Sequence, residues 1–185
     1  MFFLFLLGAC RLQLVTPNIV LIGMPGAGKS TLGVLLAKQL AKCFVDTDLL
    51  IQERAGKTLQ AIVDEHGYLA LRQLEERVLC SLDAENAVVA TGGSAVYSTA
   101  AMEHLKQQGL CIYLRLSLSN VERRVTNLGT RGLAAAANQS LADIFKERQP
   151  LYERYADMSI DCNGKTVEEV VEEIGFELQA TSRKL

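Results

Sequence analysis

Short runs of β-branched and other apolar residues alternate along the chain with longer segments whose apolar positions recur every three or four residues. The first pattern predicts strands buried on both faces, and the second predicts helices with one apolar stripe. Residues 18–22, 43–45, 87–90, 110–114 and 158–160 read as strands. Residues 29–40, 58–65, 68–82, 98–108, 118–125, 141–155 and 167–177 read as helices. Strands separated by helices need crossover connections. The expectation is therefore an α/β fold, a five-stranded parallel sheet covered by helices on both faces in three layers. No internal repeat or domain linker breaks the alternation, and the Ala134–Ala137 run falls in a stretch read as a lid at about 126–140.

Composition narrows the picture by exclusion. A chain of 185 residues is one domain, large enough to bury roughly two-thirds of its unfolded surface without a metal or disulfide staple. With 49% apolar and 22% charged residues it has the balance of a soluble globular protein. The net charge of -2 gives no basic footprint, so neither nucleic acid nor an anionic membrane is expected as a partner. Five cysteines, an odd number without a C-x-x-C pair, read as reduced and mostly buried thiols.

Residues 1–14 are the compositional exception, beginning Met1-Phe2-Phe3-Leu4-Phe5-Leu6-Leu7. The apolar run is short for a membrane span, and no Lys or Arg precedes it as in a secretory signal. The preferred reading is an extension from an early start, with the working domain at 15–185. An apolar tail, mobile or covered by a partner, and a true signal or lipid anchor at Cys10 are the other readings.

The chemistry begins after the first strand. Gly23-Met24-Pro25-Gly26-Ala27-Gly28-Lys29-Ser30 fits G-x-x-x-x-G-K-[ST], and Thr31 follows. A glycine-rich loop between a strand and a helix turns successive backbone N–H groups inward around phosphates, and the helix N-terminus adds its positive end. Gly26, Ala27, Gly28, Lys29, Ser30 and Thr31 are therefore candidate ATP-binding residues. Lys29 offers an ammonium to the β- and γ-phosphates, and Ser30 a hydroxyl to Mg²⁺.

The second strand runs into Asp46-Thr47-Asp48. Ligands gather at the carboxyl ends of strands in open α/β sheets. If the segment is extended, both carboxylates point to the same side, one toward Mg²⁺ and the other toward an acceptor hydroxyl as base. The competing reading is a solvated turn that caps a helix. Four arginines are candidates: Arg72 after Gly67, Arg124, Arg131 in the lid, and Arg148 before Pro150. A lid arginine stabilises a transferring phosphoryl group, and arginines deep in a cleft suit a carboxylate. Gly92 and Gly93 close the third strand where a backbone can approach a small ligand.

The order and spacing of these segments resemble the shikimate kinases. That family reads G-x-x-G-x-G-K-S/T, D-x-D, G-E-x-x-F-R, T-G-G-G, a lid with R-P-L-L, and R-x-P-L-Y. The counterparts here are 23–31, Asp46-Thr47-Asp48, 67–72, 91–94, 131–134 and 148–152. The resemblance runs from about Pro17 to the last helix and implies a P-loop kinase fold. It implies transfer of the γ-phosphoryl group of ATP to the 3-hydroxyl of shikimate, in aromatic amino acid biosynthesis, by a cytoplasmic monomer. In it Asp48 is the base, and Asp48, Arg72, Gly92, Gly93 and Arg148 hold shikimate, with Arg72 and Arg148 on its carboxylate. Asp46 and Ser30 serve Mg²⁺, Lys29 and Arg131 stabilise the moving phosphoryl, and Arg124 lies against the nucleotide. Lys165 falls near the adenine side.

Four positions depart from the pattern. Tyr68 stands in place of Glu, Leu71 of Phe, Ser94 of the third glycine, and Gly132 of the lid proline, a change expected to loosen the lid. They touch the acceptor wall and not the phosphate loop. The alternatives are accordingly a paralogous P-loop kinase for another small hydroxy acid or polyol, or a nucleotide-binding protein without catalysis. His66, His104 and the Glu-rich C-terminal helix read as surface features.

Overall fold

The computed structural model describes residues 17–125, 132, 134–136 and 139–182. The apolar extension, Arg131 and much of the lid lie outside the described residues.

Five strands form the sheet: β1 (Asn18–Ile22), β2 (Cys43–Asp46), β3 (Ala87–Ala90), β4 (Gly109–Arg115) and β5 (Met158–Asp161). Their order is β2-β3-β1-β4-β5, and every pairing is parallel, with Ile19 beside Val88 and Leu110, and Val45 beside Val89. Alternate strand residues face opposite sides, yet all five of β1 and all four of β3 are buried. Burial at every position requires helices on both faces, as the apolar runs predict. β2 is an edge strand, and its residues are partly exposed.

The helices are α1 (Lys29–Leu40), α2 (Thr47–Ala55), α3 (Leu59–Cys80), α4 (Thr99–Gln108), α5 (Leu118–Arg124), α6 (Leu141–Tyr155) and α7 (Val167–Ser182). A short 3₁₀ turn, Ala95–Tyr97, follows β3. Gly67 interrupts α3 with φ 80° and ψ 165°, a conformation no helix contains. The predicted pair of helices on either side of it is therefore right in substance.

Helix α2 is the element the pattern missed, and it corrects the reading of Asp46 and Asp48. Asp46 is the N-cap of α2, and its Oδ1 accepts from the backbone N–H groups of Asp48 at 3.0 Å and Leu49 at 3.4 Å. Asp48 therefore sits in the first turn of a helix and not on an extended segment. A capping aspartate satisfies N–H groups that a strand would have paired elsewhere, and that local gain turns the chain.

The thiols need a second correction. Cys111 and Cys162 are buried as expected, but Cys43 and Cys80 are exposed; all four are free. No helix among the described residues is long and apolar enough to cross a membrane.

Candidate active site

Strand order places the phosphate loop centrally. β1 lies between β3 and β4, so the loop that leaves it opens where the chain winds away in both directions. Gly26 has φ 80°, and a Cβ there would lie 2.7 Å from Val125 Cγ2. Gly28 caps α1 in the left-handed region at φ 90°. Both torsions are costly for a residue with a side chain, so the loop path depends on these glycines.

Lys29 opens α1, and its buried ammonium donates to the carbonyls of Gly23 at 2.8 Å and Met24 at 3.0 Å. Burial pushes its pKa down to about 8, with Asp48 opposing the fall. The ammonium is thus held inside the loop at neutral pH. Ser30 Oγ donates to Asp46 Oδ2 at 2.7 Å, so the capping carboxylate spans α2 and the phosphate loop. Arg124 is exposed at the end of α5, its Cβ 3.4 Å from the position a Gly26 Cβ would take. That is the mouth of the loop.

The acceptor half is built around the end of β3. Thr91 Oγ1 donates to the Leu21 carbonyl at 2.9 Å, and Gly92 N–H donates to Thr47 Oγ1 at 3.2 Å. These bonds fix the Thr91-Gly92-Gly93 turn to β1 and to the start of α2. A Cβ on Gly92 would stand 2.3 Å from Glu75 Oε1 and 2.7 Å from Asp48 Oδ1. Two carboxylates therefore converge over this glycine, and no other residue leaves them room. A Cβ on Gly93 would meet both Arg148 Nη1 and Pro25 Cδ at 3.0 Å, so Gly93 lies between the arginine and the phosphate loop.

Arg148 is 1% exposed, the largest of the fully buried side chains. Its Nη2 donates to the Ala134 carbonyl at 3.1 Å. Arg72 donates to the same oxygen from Nε at 3.1 Å and Nη2 at 2.9 Å. Three guanidinium N–H groups from two helices thus meet on one oxygen, a geometry suited to an oxyanion.

Glu75 is the residue that sequence reasoning missed. It is 3% exposed, Ser94 Oγ donates to its Oε2 at 2.5 Å, and its Oε1 is buried without a hydrogen-bond partner. Burial raises its pKa to about 7, the Ser94 hydrogen bond opposing; burial also raises that of Asp48, Lys29 opposing. A signal was available: Glu75 lies on the inward stripe of α3 with Leu71, Val78 and Leu79. A glutamate on an apolar stripe is rarely buried without a task.

One cavity of about 530 Å³ joins the two halves, lined by Gly26, Gly28, Lys29, Ser30 and Thr31 at one end and Asp48, Glu75, Gly92, Gly93 and Arg148 at the other. Ala27 is buried behind the loop, and Arg72 lines an adjoining cavity of about 260 Å³ that shares Glu75 and Ser94. Asp46 reaches the site through Ser30. Lys165 does not reach it and pairs with Glu173. His104 is tied to the Leu82 carbonyl at 2.7 Å, and His66 stands 3.6 Å from Glu65.

The substituted positions have found partners of their own. The Arg72 Cζ lies 5.2 Å from the centre of the Tyr68 ring. Ser94 holds Glu75. Gly132 is buried with φ 59°, and its N–H donates to Gln60 Oε1 at 2.7 Å. A Cβ at 132 would lie 2.5 Å from Leu59. This glycine thus packs against the start of α3 where a side chain would not fit.

The family model for shikimate kinase matches residues 25–179. A shikimate kinase of Nitrosospira multiformis is 36% identical over 171 residues, 91% of this chain and 88% of that one. One of Thiobacillus denitrificans is 38% identical over 153 residues, 81% of this chain and 84% of its own. Among solved structures, the shikimate kinase of Acinetobacter baumannii in complex with shikimate superposes with a TM-score of 0.81 at 33% identity, covering 90% of this chain and 94% of that one. The chain belongs to the shikimate kinase family.

Proposed function

We propose that the protein transfers the γ-phosphoryl group of ATP to the 3-hydroxyl of shikimate. The observation that carries this reading is the cavity with a phosphate loop at one end and Arg148 at the other, where Arg72 converges with Arg148 on the Ala134 carbonyl from an adjoining cavity. Between them stand the Asp48 and Glu75 carboxylates, close enough to share the space over Gly92. A ligand that fills the acceptor end needs a hydroxyl for Asp48 and an anionic group for Arg72 and Arg148. Shikimate has both.

The loop N–H groups from Gly26 to Thr31 cradle the phosphates, and Lys29 meets the β- and γ-phosphate oxygens. Asp48 accepts the proton of the reacting hydroxyl; its raised pKa brings it toward that task. Glu75 receives a neighbouring hydroxyl through Oε1. Arg72 and Arg148 grip the carboxylate, and the acceptor is thereby held with one face toward the phosphate loop. Arg131 is assigned by resemblance to the transferring phosphoryl group, and Arg124 to the nucleotide.

The residues at the loop suit Mg²⁺. Ser30 and Asp46 offer a hydroxyl and a carboxylate 2.7 Å apart. Among the described residues no cluster of His, Cys, Asp and Glu could form a full protein cage. Mg²⁺ keeps waters and phosphate oxygens as most of its ligands, so this sparse donor set is the expected one. Bound there, it would neutralise charge on the β- and γ-phosphates.

A monomer completes the reading, and the need for ATP supports a cytoplasmic enzyme. The test is product identification: protein, ATP, Mg²⁺ and shikimate are incubated, and the acceptor is analysed by mass spectrometry and ³¹P NMR. A monophosphate ester at the 3-position is expected. ADP formation without a shikimate phosphate would sink the proposal.

A further inference from the structure

The two arginines at the acceptor end are joined by a side chain that no motif of the site includes. Tyr97 closes the 3₁₀ turn after β3. Its ring lies against the Arg72 guanidinium, 3.6 Å from Cζ to the ring centre. Its hydroxyl accepts from Arg148 Nε at 3.2 Å, and the Arg148 Cζ is 5.1 Å from the same ring centre. One rigid side chain thus contacts Arg72 through its face and Arg148 through its hydroxyl.

We infer that Tyr97 is a positioning residue for the acceptor carboxylate. It locks the guanidinium planes of Arg72 and Arg148 against each other, so that they meet an anionic group as one preformed clamp. A free arginine side chain loses rotamer entropy when it closes on a ligand, and two must do so together here. An aromatic face beneath one guanidinium and a hydrogen bond to the other remove most of that cost beforehand. The convergence of both arginines on the Ala134 oxygen shows that the clamp geometry is reached. Tyr97 acts through the arginines, and its effect belongs to acceptor binding and not to phosphoryl transfer.

The inference rests on shikimate being the acceptor, and the experiment separates the two. Initial rates are measured for the unaltered enzyme, Tyr97→Leu and Tyr97→Phe, with shikimate and with its carboxamide, each against varied ATP. Tyr97→Leu loses both contacts and should raise the shikimate KM roughly tenfold or more, as expected for loss of charge-assisted contacts. Its ATP KM should stay within about twofold, and kcat should fall less than KM rises. Tyr97→Phe keeps the stacking and should fall between. The preference for shikimate over the carboxamide should shrink in the order Tyr, Phe, Leu, a result that mere loss of stability does not produce. If Tyr97→Leu does not fold, the Phe variant decides by the same KM and preference. Turnover of shikimate by the unaltered enzyme, with KM and preference unmoved in the variants, overturns this inference alone. No shikimate turnover by the unaltered enzyme removes the acceptor assignment beneath it.

Discussion

Ser94 Oγ donates to Glu75 Oε2 at 2.5 Å and leaves Oε1 of the same carboxylate buried in the cavity without a partner. The serine stands where the family pattern has its third glycine, so this chain has gained a hydroxyl that fixes one oxygen of Glu75 and aims the other. The acceptor wall is thereby changed without being emptied: the new side chain lines the cavity with its hydroxyl bound to a carboxylate.

Glu75 should make stability depend on pH. Its folded pKa is raised from 4.5 to about 7. The fold is thus favoured by its protonated form, fully so below pH 4.5, and that contribution is lost as pH rises through about 7. The shift corresponds to roughly 3 kcal/mol at about 1.4 kcal/mol per unit. Glu75→Gln should melt higher than the unaltered protein at pH 8 and show a flatter profile from pH 4.5 to 8. Parallel profiles for the two proteins would contradict the assignment of this carboxyl.

Asp48→Asn removes the base and keeps the shape. Its kcat should fall by at least ~10². The pre-steady-state and steady-state rates should fall together, because chemistry becomes limiting. An effect confined to KM would make Asp48 a binding residue only.

Arg148→Lys retains the charge but loses the planar fork that reaches both Tyr97 and Ala134. The shikimate KM should rise at least roughly tenfold, with the ATP KM unchanged. Burial adds a second expectation: at 1% exposure the shorter side chain leaves Tyr97 without its donor, and the melting temperature should also drop. An unchanged shikimate KM would remove Arg148 from the acceptor site.

Gly132→Pro would install the residue that the family pattern carries. At φ 59°, with an N–H engaged by Gln60, proline cannot be accommodated. The variant should lose kcat/KM for shikimate and should not approach a family-like lid. Gly132→Ala, short of space against Leu59, should fall in the same direction but less far. Unimpaired kinetics in both would show that this backbone geometry is not required.

How much of this was legible in the sequence follows from how local each feature is. The phosphate loop was fully legible, because its chemistry lies in one contiguous segment between a strand and a helix. The three central strands were legible because burial on both faces leaves unbroken apolar runs, and the edge strands β2 and β5, only partly buried, were read from shorter runs. Asp46 and Asp48 were found as residues but misplaced as geometry. Period-2 reasoning put them on an extended segment, while the capping bond of Asp46 had already started α2. Glu75 was passed over because its one local mark, a place on the apolar stripe of α3, names no task; its importance comes from Gly92 and Ser94, 17 and 19 residues away. Tyr97 was hidden for the same reason, since Arg72 and Arg148 reach it from α3 and α6. Gly132 was read through proline's absence, when the decisive facts are a positive φ and the crowding of Leu59.

The central claim is that one cavity holds ATP at its loop and shikimate at Arg148, with Arg72 beside it, and acceptor discrimination tests it most directly. The measurement is kcat/KM at saturating ATP for shikimate beside quinate, gluconate and homoserine. A site built to satisfy particular hydroxyl and carboxylate groups should favour shikimate by at least ~10² over each of the others. Turnover of shikimate no faster than that of buffer alone, or a higher kcat/KM for any of the three, would contradict the account.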